Sequence, residues 1–287
     1  MLRIINNHVL PLFGIRIERA SNFEAREQER RRADALAASS DARQRAIQLA
    51  QLLKPHNAIG QSKIRIGNRN DGGYICLDDF KGIKAALSFG IWDDVSWDSQ
   101  IAGRGISVYQ FDHTVNGPPT ANPNFRFEKK RIIASGSETS TATTVSSILT
   151  HLGEVDPLSL ILKIDIEQDE WEVFEKISDK ELSKFSQIIC EFHCFSRVIE
   201  DSWFARAKSV LEKLHSRFEV VHLHANNYSR LISIGNIPFC ETLEVTYASR
   251  DRYTFGPLEQ VIPTNIDAPN DPNRPDIYLG HFEFDGA

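Results

Sequence analysis

Between Lys84 and Thr114 the chain reads KAALSFGIWDDVSWDSQIAGRGISVYQFDHT, and this stretch limits the fold more than any other. Ala85 to Phe89 is an apolar run of strand length, and Gly90 follows where the backbone must turn sharply. Trp92 to Ile101 has the composition of a helix. Ile106 to Phe111 is rich in β-prone residues and closes on Asp112. Strand, glycine turn, helix and second strand ending in an acid begin a doubly wound α/β unit. In such units the glycine turn receives a ligand and the acid holds its ribose hydroxyls. The stretch predicts a ribose-bearing ligand, with a plain structural turn as the alternative.

The charge of the turn discriminates among such ligands. A pyrophosphate site uses G-x-G-x-x-G, with bare backbone amides and no adjacent negative charge. Here a single glycine is followed by Trp92, Asp93 and Asp94. Two carboxylates repel phosphate but suit a ligand with a cationic end, such as the amino and sulfonium groups of S-adenosylmethionine. An NAD-dependent oxidoreductase is disfavoured on the same ground.

With 287 residues the chain has room for one large domain and an appendage. Its net charge of -6 lacks the basic excess of a dedicated nucleic-acid binder. No apolar run reaches transmembrane length. The opening, MLRIINNHVLPLFGIRI, is interrupted by Asn6, Asn7 and His8, and it does not read as a signal peptide. Cys76, Cys190, Cys194 and Cys240 contain no C-x-x-C pair and read as free thiols of a cytoplasmic protein.

Residues 18–53 favour helix, with a break and a new N-cap at Ser39-Ser40-Asp41. The second of these helices has a partial apolar face, and the first is almost wholly polar. The chain is therefore divided into a helical arm, 1–57, and a domain, 58–287. The arm reads as a solvated extension or as a pairing element for a second subunit. Lys63–Ile66 and Tyr74–Leu77 read as a hairpin closed by a tight turn at Asp71-Gly72-Gly73, with Arg65, Asp71 and Tyr74 placed to reach a ligand. A Pro- and Asn-rich loop, Asn116–Asn124, leads to a third strand within Phe125–Ala134, and a Ser/Thr-rich stretch caps a short helix ending at His151. Leu158–Asp165 is the most apolar strand and ends in acids, where α/β sheets place ligands. A helix over Asp169–Lys176, a strand within Phe185–Phe192 and an amphipathic helix over Asp201–Ser216 follow. The strand Phe218–His224 puts His222 and His224 on one side. Glu241–Tyr247 closes an antiparallel pair, and the tail Asp267–Asp276 reads as irregular and carries little fold information on its own. The sum is seven strands, five alternating with helices and then a two-strand hairpin. This is the Rossmann-like layout of the class I methyltransferase sheet, with helices on both faces and an N-terminal helical arm.

Asp112, Asp165, Glu167, Glu191, His193, His222 or His224, and Asn226 should converge at the carboxyl edge of that sheet. Any one of them reads equally well as an edge residue meeting water. Their recurrence on adjacent strands is what favours a site. Methyl transfer to a hydroxyl requires loss of its proton, and His193 or His224 is the expected base, with Asp165 beside them. The alternative is metal assistance, with Mg²⁺ or Mn²⁺ on Asp165, Glu191 and His193 lowering the pKa of the hydroxyl.

With these residues in view, the chain resembles the FkbM-like methyltransferases, and more closely the methyltransferase-like domains with a D-G-G-Y hairpin before the cofactor strand. The resemblance lies in RIGNRNDGGY (65–74), LSFGIWDDVSWD (87–98), VYQFDHT (108–114), LKIDIEQDEWEVF (162–174), IICEFH (188–193), HLHANN (222–227) and DAPNDPNRPD (267–276). It implies S-adenosylmethionine as cofactor, O-methylation as the reaction, and sugars of glycans, lipopolysaccharide or natural products as acceptors. Carried over, Phe89, Gly90, Ile91 and Asp94 hold the methionine part and Asp112 the ribose, with Asp71, Gly72, Gly73 and Tyr74 of the hairpin in the cofactor set. Asp165 and Glu167 face the transferred methyl and the acceptor, and Glu191 and Asn226 join the acceptor side. One departure is Gln168-Asp169, where the family often has Gly-Ala. The expected protein is a cytoplasmic O-methyltransferase acting on a carbohydrate or glycan precursor, with its arm either solvated or pairing a second subunit. A catalytically silent scaffold of the same fold is the alternative.

Overall fold

A computed structural model describes residues 20–284. The opening segment and the first part of the arm lie outside the described residues. The centre is a seven-stranded sheet of β1 (Ala85–Phe89), β2 (Ser107–Phe111), β3 (Phe125–Glu128), β4 (Leu160–Ile164), β5 (Phe185–Phe192), β6 (Phe218–Ala225) and β7 (Leu243–Ser249). Across the sheet the order is β3-β2-β1-β4-β5-β7-β6. The five strands from β3 to β5 are parallel, and β7 runs antiparallel to both of its neighbours. The result is a mixed α/β, mostly parallel, Rossmann-like sheet. Its inner strands are apolar runs because layers cover both of their faces, so every residue of β1 and β4 is buried.

Seven α-helices are present among the described residues: α1 (Ala20–Ala38), α2 (Ser40–Leu53), α3 (Ser96–Ala102), α4 (Val145–His151), α5 (Glu170–Lys176), α6 (Asp179–Leu182) and α7 (Asp201–Arg217). The break between α1 and α2 falls where expected, because the Ser39 hydroxyl accepts the Ala42 N–H at 3.1 Å as an N-cap. One face of the sheet is covered by α2, α4, α5 and α7, with Leu49, Leu53, Phe174 and Leu211 packed with Leu87, Leu162 and Ile188. The amphipathic α2 is thus part of the core.

The opposite face departs from the expectation of helices on both sides. Among the described residues it carries the short α3, the ribbon formed by Lys63–Ile66 and Tyr74–Leu77, and a second pair, His56–Ala58 with Phe255–Pro257, which packs on Val221 and Ala248. Ile66, Cys76, Trp97 and Ile101 pack there against Ala86, Val108, Ile161 and Ile189. The ribbon is fastened by polar side chains of the sheet. Gln187 of β5 accepts the Leu77 N–H at 2.8 Å and donates to the Leu77 carbonyl at 3.2 Å. The Thr246 hydroxyl of β7 donates to the Ile75 carbonyl.

Several local expectations are corrected. The ribbon is closed by a seven-residue loop, 67–73, rather than a tight turn, since Ile66 pairs with Tyr74. Arg65 holds this loop open by donating to the carbonyls of Asn68 and Asn70 at 2.9 and 2.8 Å. The helix expected from Trp92 begins at Ser96, because Asp112 takes the N–H groups of Ile91 and Trp92, and Asp94 takes that of Ser96. The link between β2 and β3 is the expected Pro- and Asn-rich loop, here 112–124, so one of the five strands counted as alternating with helices has no helix beside it. The third strand ends at Glu128, and Arg131–Ile132 pairs separately with Ala142–Thr143. Between β6 and β7 lies an unexpected hairpin, Leu231–Ile234 with Ile237–Cys240, whose Gly235 N–H donates to the Leu36 carbonyl of α1 at 2.9 Å. The tail is irregular as expected, yet Ala268, Asn270 and Asp271 are buried and it is bound to the sheet edge. Among the described residues no helix is long and apolar enough to cross a membrane.

The Gln187 fastening gives a stability prediction. Gln187→Leu leaves the buried N–H and carbonyl of Leu77 unpaired and should destabilise the fold by about 1–3 kcal/mol. Urea denaturation reads this directly, and an unchanged midpoint would contradict the fastening role.

Candidate functional site

The site grows from the ends of β1, β2 and β4. Gly90 has φ +76°, and a Cβ there would stand 1.7 Å from the Asp165 carbonyl oxygen. No other residue fits where these two strands leave the sheet side by side. The Gly90 N–H donates to the Phe111 carbonyl and the Asp165 N–H to the Phe89 carbonyl, both at 3.0 Å. Asp112 then closes the turn. Its Oδ2 accepts the N–H groups of Ile91 and Trp92 at 2.9 Å, and its Oδ1 accepts the N–H and hydroxyl of Thr114 at 2.7 and 2.6 Å. Burial opposes its charge, but the bonds from Thr114, Trp92 and Ile91 outweigh it and hold the carboxyl below its ordinary value. A carboxylate has about four acceptor positions, and all are filled here, so a ribose hydroxyl must displace Thr114.

The Asp93–Asp94 pair does not stand free, which corrects the simple picture of two carboxylates facing a cation. Asp93 is exposed, whereas Asp94 accepts from the Asn68 amide and the Ser96 N–H. It locks the 67–73 loop to the start of α3. Gly72, at φ +79°, is required beneath it, since a Cβ would lie 2.3 Å from Asp94 Oδ2. Gly73 follows against the Asn68 carbonyl. Phe89 and Ile91 are buried, Phe89 edge-on to Phe111 at 5.6 Å, so only their backbones border the turn.

On the far side of the turn, the Tyr74 hydroxyl donates to Asp165 Oδ2 at 3.3 Å. Lys163 donates to the Gly90 carbonyl at 2.6 Å and lies 5.8 Å from the Tyr74 ring centre. Burial pushes the Asp165 carboxyl up to about 6, against the pull of Lys163 and His193. Glu170, in the first turn of α5, is fully buried and accepts the Ile166 N–H at 2.8 Å. Its Oε1 lies 3.3 Å from His193 Nδ1, too poorly aligned for a hydrogen bond. His193 Nε2 lies 3.7 Å from Glu191 and 3.8 Å from Glu167. Burial favours the neutral ring, but Glu170, Asp165 and Glu167 outweigh it and raise the proton affinity of His193. One potential ligand atom from each of Asp165, Glu170 and His193 lies within 4.8 Å of the others. Glu170 takes the place in this group that the sequence reading gave to Glu191. The Glu191 side chain instead accepts from Asn226 at 2.7 Å, and burial, with Asp165 and Glu244 adding to it, raises its carboxyl well above the ordinary range. The Glu167 side chain is 85% exposed.

His224 is corrected as a candidate base. Its Nδ1 lies 3.1 Å from Glu244 Oε2 and its Nε2 3.1 Å from Asp276 Oδ1. Burial opposes the charge, but Asp276 and Glu244 raise the ring to about 10. At neutral pH it is an imidazolium with both N–H groups engaged and no lone pair to receive a proton. His222 is fastened to Asp267 at 2.8 Å, and burial lowers its proton affinity. The tail that supplies Asp267 and Asp276 also reaches the hairpin loop. Asn270 donates to Glu244 at 2.6 Å and to Asp71 at 3.3 Å, and Asn70 donates to the Pro269 carbonyl at 2.7 Å. Burial raises the Asp71 carboxyl. The sheet edge is therefore walled by Asp71, Asp165, Glu170, Glu191 and Glu244.

Lys163, Glu170, Glu244, Asp267, Asn270 and Asp276 were not singled out by the sequence. Lys163 carried a signal, a lone charge in an apolar strand. Asp267 and Asp276 bound the segment DAPNDPNRPD, but nothing local ties them to their histidines, which they meet across 45 and 52 residues. Trp92, Glu167, Gln168 and Cys194 have φ of 38°, 59°, 87° and 70°, and all stand on loops leaving β1, β4 and β5. Leu158, Asn236 and Phe282 share this backbone region away from the edge.

No protein-family model and no curated relative matches the chain. Among solved structures, 15 chains are similar. One is EvdMO1, at 13% identity and a TM-score of 0.29, over 60% of this chain and 38% of that one.

The His224 network has a pH signature. Its folded value, about 10, lies above the ordinary 6.5. Its stabilisation is therefore complete below pH 6.5 and is lost as pH rises toward 10. Thermal melts across that window should decline steeply in the wild type and less steeply in His224→Ala. At neutral pH that variant, with Glu244 and Asp276 left without their cation, should be destabilised by about 3–5 kcal/mol. Equal slopes would contradict the assignment.

Proposed function

We propose that the protein is an S-adenosylmethionine-dependent O-methyltransferase of the FkbM-like kind, acting on a hydroxyl of a sugar or glycan precursor in the cytoplasm. The observation that carries this reading is the strand order β3-β2-β1-β4-β5-β7-β6 with an antiparallel β7, the class I methyltransferase layout, with the Gly90 turn, Asp112 and Asp165 together at its carboxyl edge. In this reading the ribose reaches Asp112 by displacing Thr114. The methionine part lies along Gly90–Ile91 and Gly72–Tyr74, and its ammonium faces Asp71 and Asp165 rather than the Asp93–Asp94 pair.

The acceptor oxygen attacks the methyl carbon as the carbon–sulfur bond breaks, and the sulfonium leaves as a neutral thioether. The acceptor proton departs at the group formed by Asp165, Glu170 and His193. Glu167, Glu191 and Asn226 border the acceptor. The full complement of bonds on Asp112 favours a second reading, a catalytically silent protein of this fold that assembles through the polar part of its arm ahead of α2.

Calorimetric titration separates the two readings. S-adenosylmethionine should bind within the range of about 1 μM–1 mM common for enzyme ligands. Asp112→Ala should weaken it tenfold or more, and His193→Ala should abolish methyl transfer to a sugar acceptor while sparing cofactor binding. Absence of binding to a folded sample would overturn the enzyme reading in favour of the scaffold.

A further inference from the structure

We propose that Asp165, Glu170 and His193 bind one divalent cation of the Mn²⁺ type. The three side chains come from the end of β4, the first turn of α5 and the loop after β5, and each offers one ligand atom within 4.8 Å of the others. Octahedral bonds of about 2.1 Å place opposite ligands about 4.2 Å apart, so the set needs only a small closure.

Two atoms of the group point to a ligand. Glu170 is fully buried, and its Oε2 has no hydrogen-bond partner among the described residues. His193 Nδ1 is also buried and has no aligned partner, although Glu170 Oε1 lies 3.3 Å away. A buried carboxylate oxygen without a partner costs stability, and the misaligned His193–Glu170 contact does not relieve it. A cation bonded to both groups would.

The chain around the group is fixed as a ligand cage requires. The Ile166 N–H orients Glu170 through Oε1, Tyr74 orients Asp165 through Oδ2, and Trp171 Nε1 donates to the His193 carbonyl at 2.9 Å. Glu167 and Gln168, both left-handed at φ 59° and 87°, turn the chain so that Asp165 and Glu170 face one another. Gln168-Asp169, the departure from the family's usual Gly-Ala, lies inside this turn.

The donor set selects the ion class. Two carboxylates alone suit Mg²⁺ or Ca²⁺, and an imidazole shifts the preference toward Mn²⁺ and the later transition metals. Three protein ligands leave coordination positions open. Resting on the methyltransferase reading, a cation held by these residues would use an open position to bind the acceptor hydroxyl and lower its pKa. His193 is then a ligand, and the cation, rather than the ring, promotes loss of the proton.

The test is a Mn²⁺ titration of the metal-stripped full chain without S-adenosylmethionine, with free Mn²⁺ read by electron paramagnetic resonance. One saturable site per chain is expected. Glu170→Gln and His193→Ala should each weaken it by at least the roughly tenfold that loss of even an outer-sphere partner costs, with circular dichroism unchanged. If Glu170→Gln does not fold, Asp165→Asn replaces it beside His193→Ala. No saturable site in the wild type, or undiminished binding in folded variants, overturns the proposal. Titrating S-adenosylmethionine into the same metal-free sample keeps the two readings apart. Cofactor binding with no Mn²⁺ site removes the cation alone, and a Mn²⁺ site with no cofactor binding supports the cation and removes the methyltransferase reading.

Discussion

The close approach of Gly90 to the Asp165 carbonyl is the constraint on which the sheet edge depends. A Cβ at that point would lie 1.7 Å from the oxygen, so β1 and β4 can leave the sheet together only if a glycine stands between them. The same residue donates to the Phe111 carbonyl and accepts from Lys163. Three strand ends are thereby tied at one position. Asp112 then draws the chain back over the turn, and Tyr74 meets Asp165 from the ribbon above. Each candidate residue owes its place to that knot.

Around the knot the edge gathers acids faster than cations. Burial raises the Asp165, Glu191 and Asp71 carboxyls, and the Lys163 ammonium is turned toward the Gly90 carbonyl. His224 offsets part of the charge but is held between Glu244 and Asp276, where it binds the tail to the sheet. Such an edge is suited to positive ligands, whether a sulfonium with its ammonium or a divalent ion. It is unsuited to phosphate. The tail is what encloses it, through Asn270 on one side and Asn70 on the other.

Strands were legible wherever burial on both sides wrote a continuous apolar run, as in Ala85–Phe89 and the stretch around Leu160–Ile164. The helix break at Ser39 was legible because its capping chemistry is local. The loop 67–73 was misread because Asp71-Gly72-Gly73 has the composition of a tight turn, while the pairing of Ile66 with Tyr74 is set by the sheet beneath. The roles of His224 and Glu170 were hidden for another reason. What a histidine does depends on the partners of its two nitrogens, and for His224 these are Glu244 of β7 and Asp276 of a tail with no periodic pattern. Glu170 read as one more charge on a helix, because nothing in DEWEVFEK tells which glutamate faces inward.

The most direct measurement is a crystal structure grown with saturating S-adenosylhomocysteine. The account predicts the nucleoside against the Gly90 turn, with ribose hydroxyls on Asp112 in place of Thr114 and the amino-acid end toward Asp71 and Asp165. A turn without ligand, with Asp112 still holding Thr114, or a ligand bound elsewhere on the molecule, would contradict it.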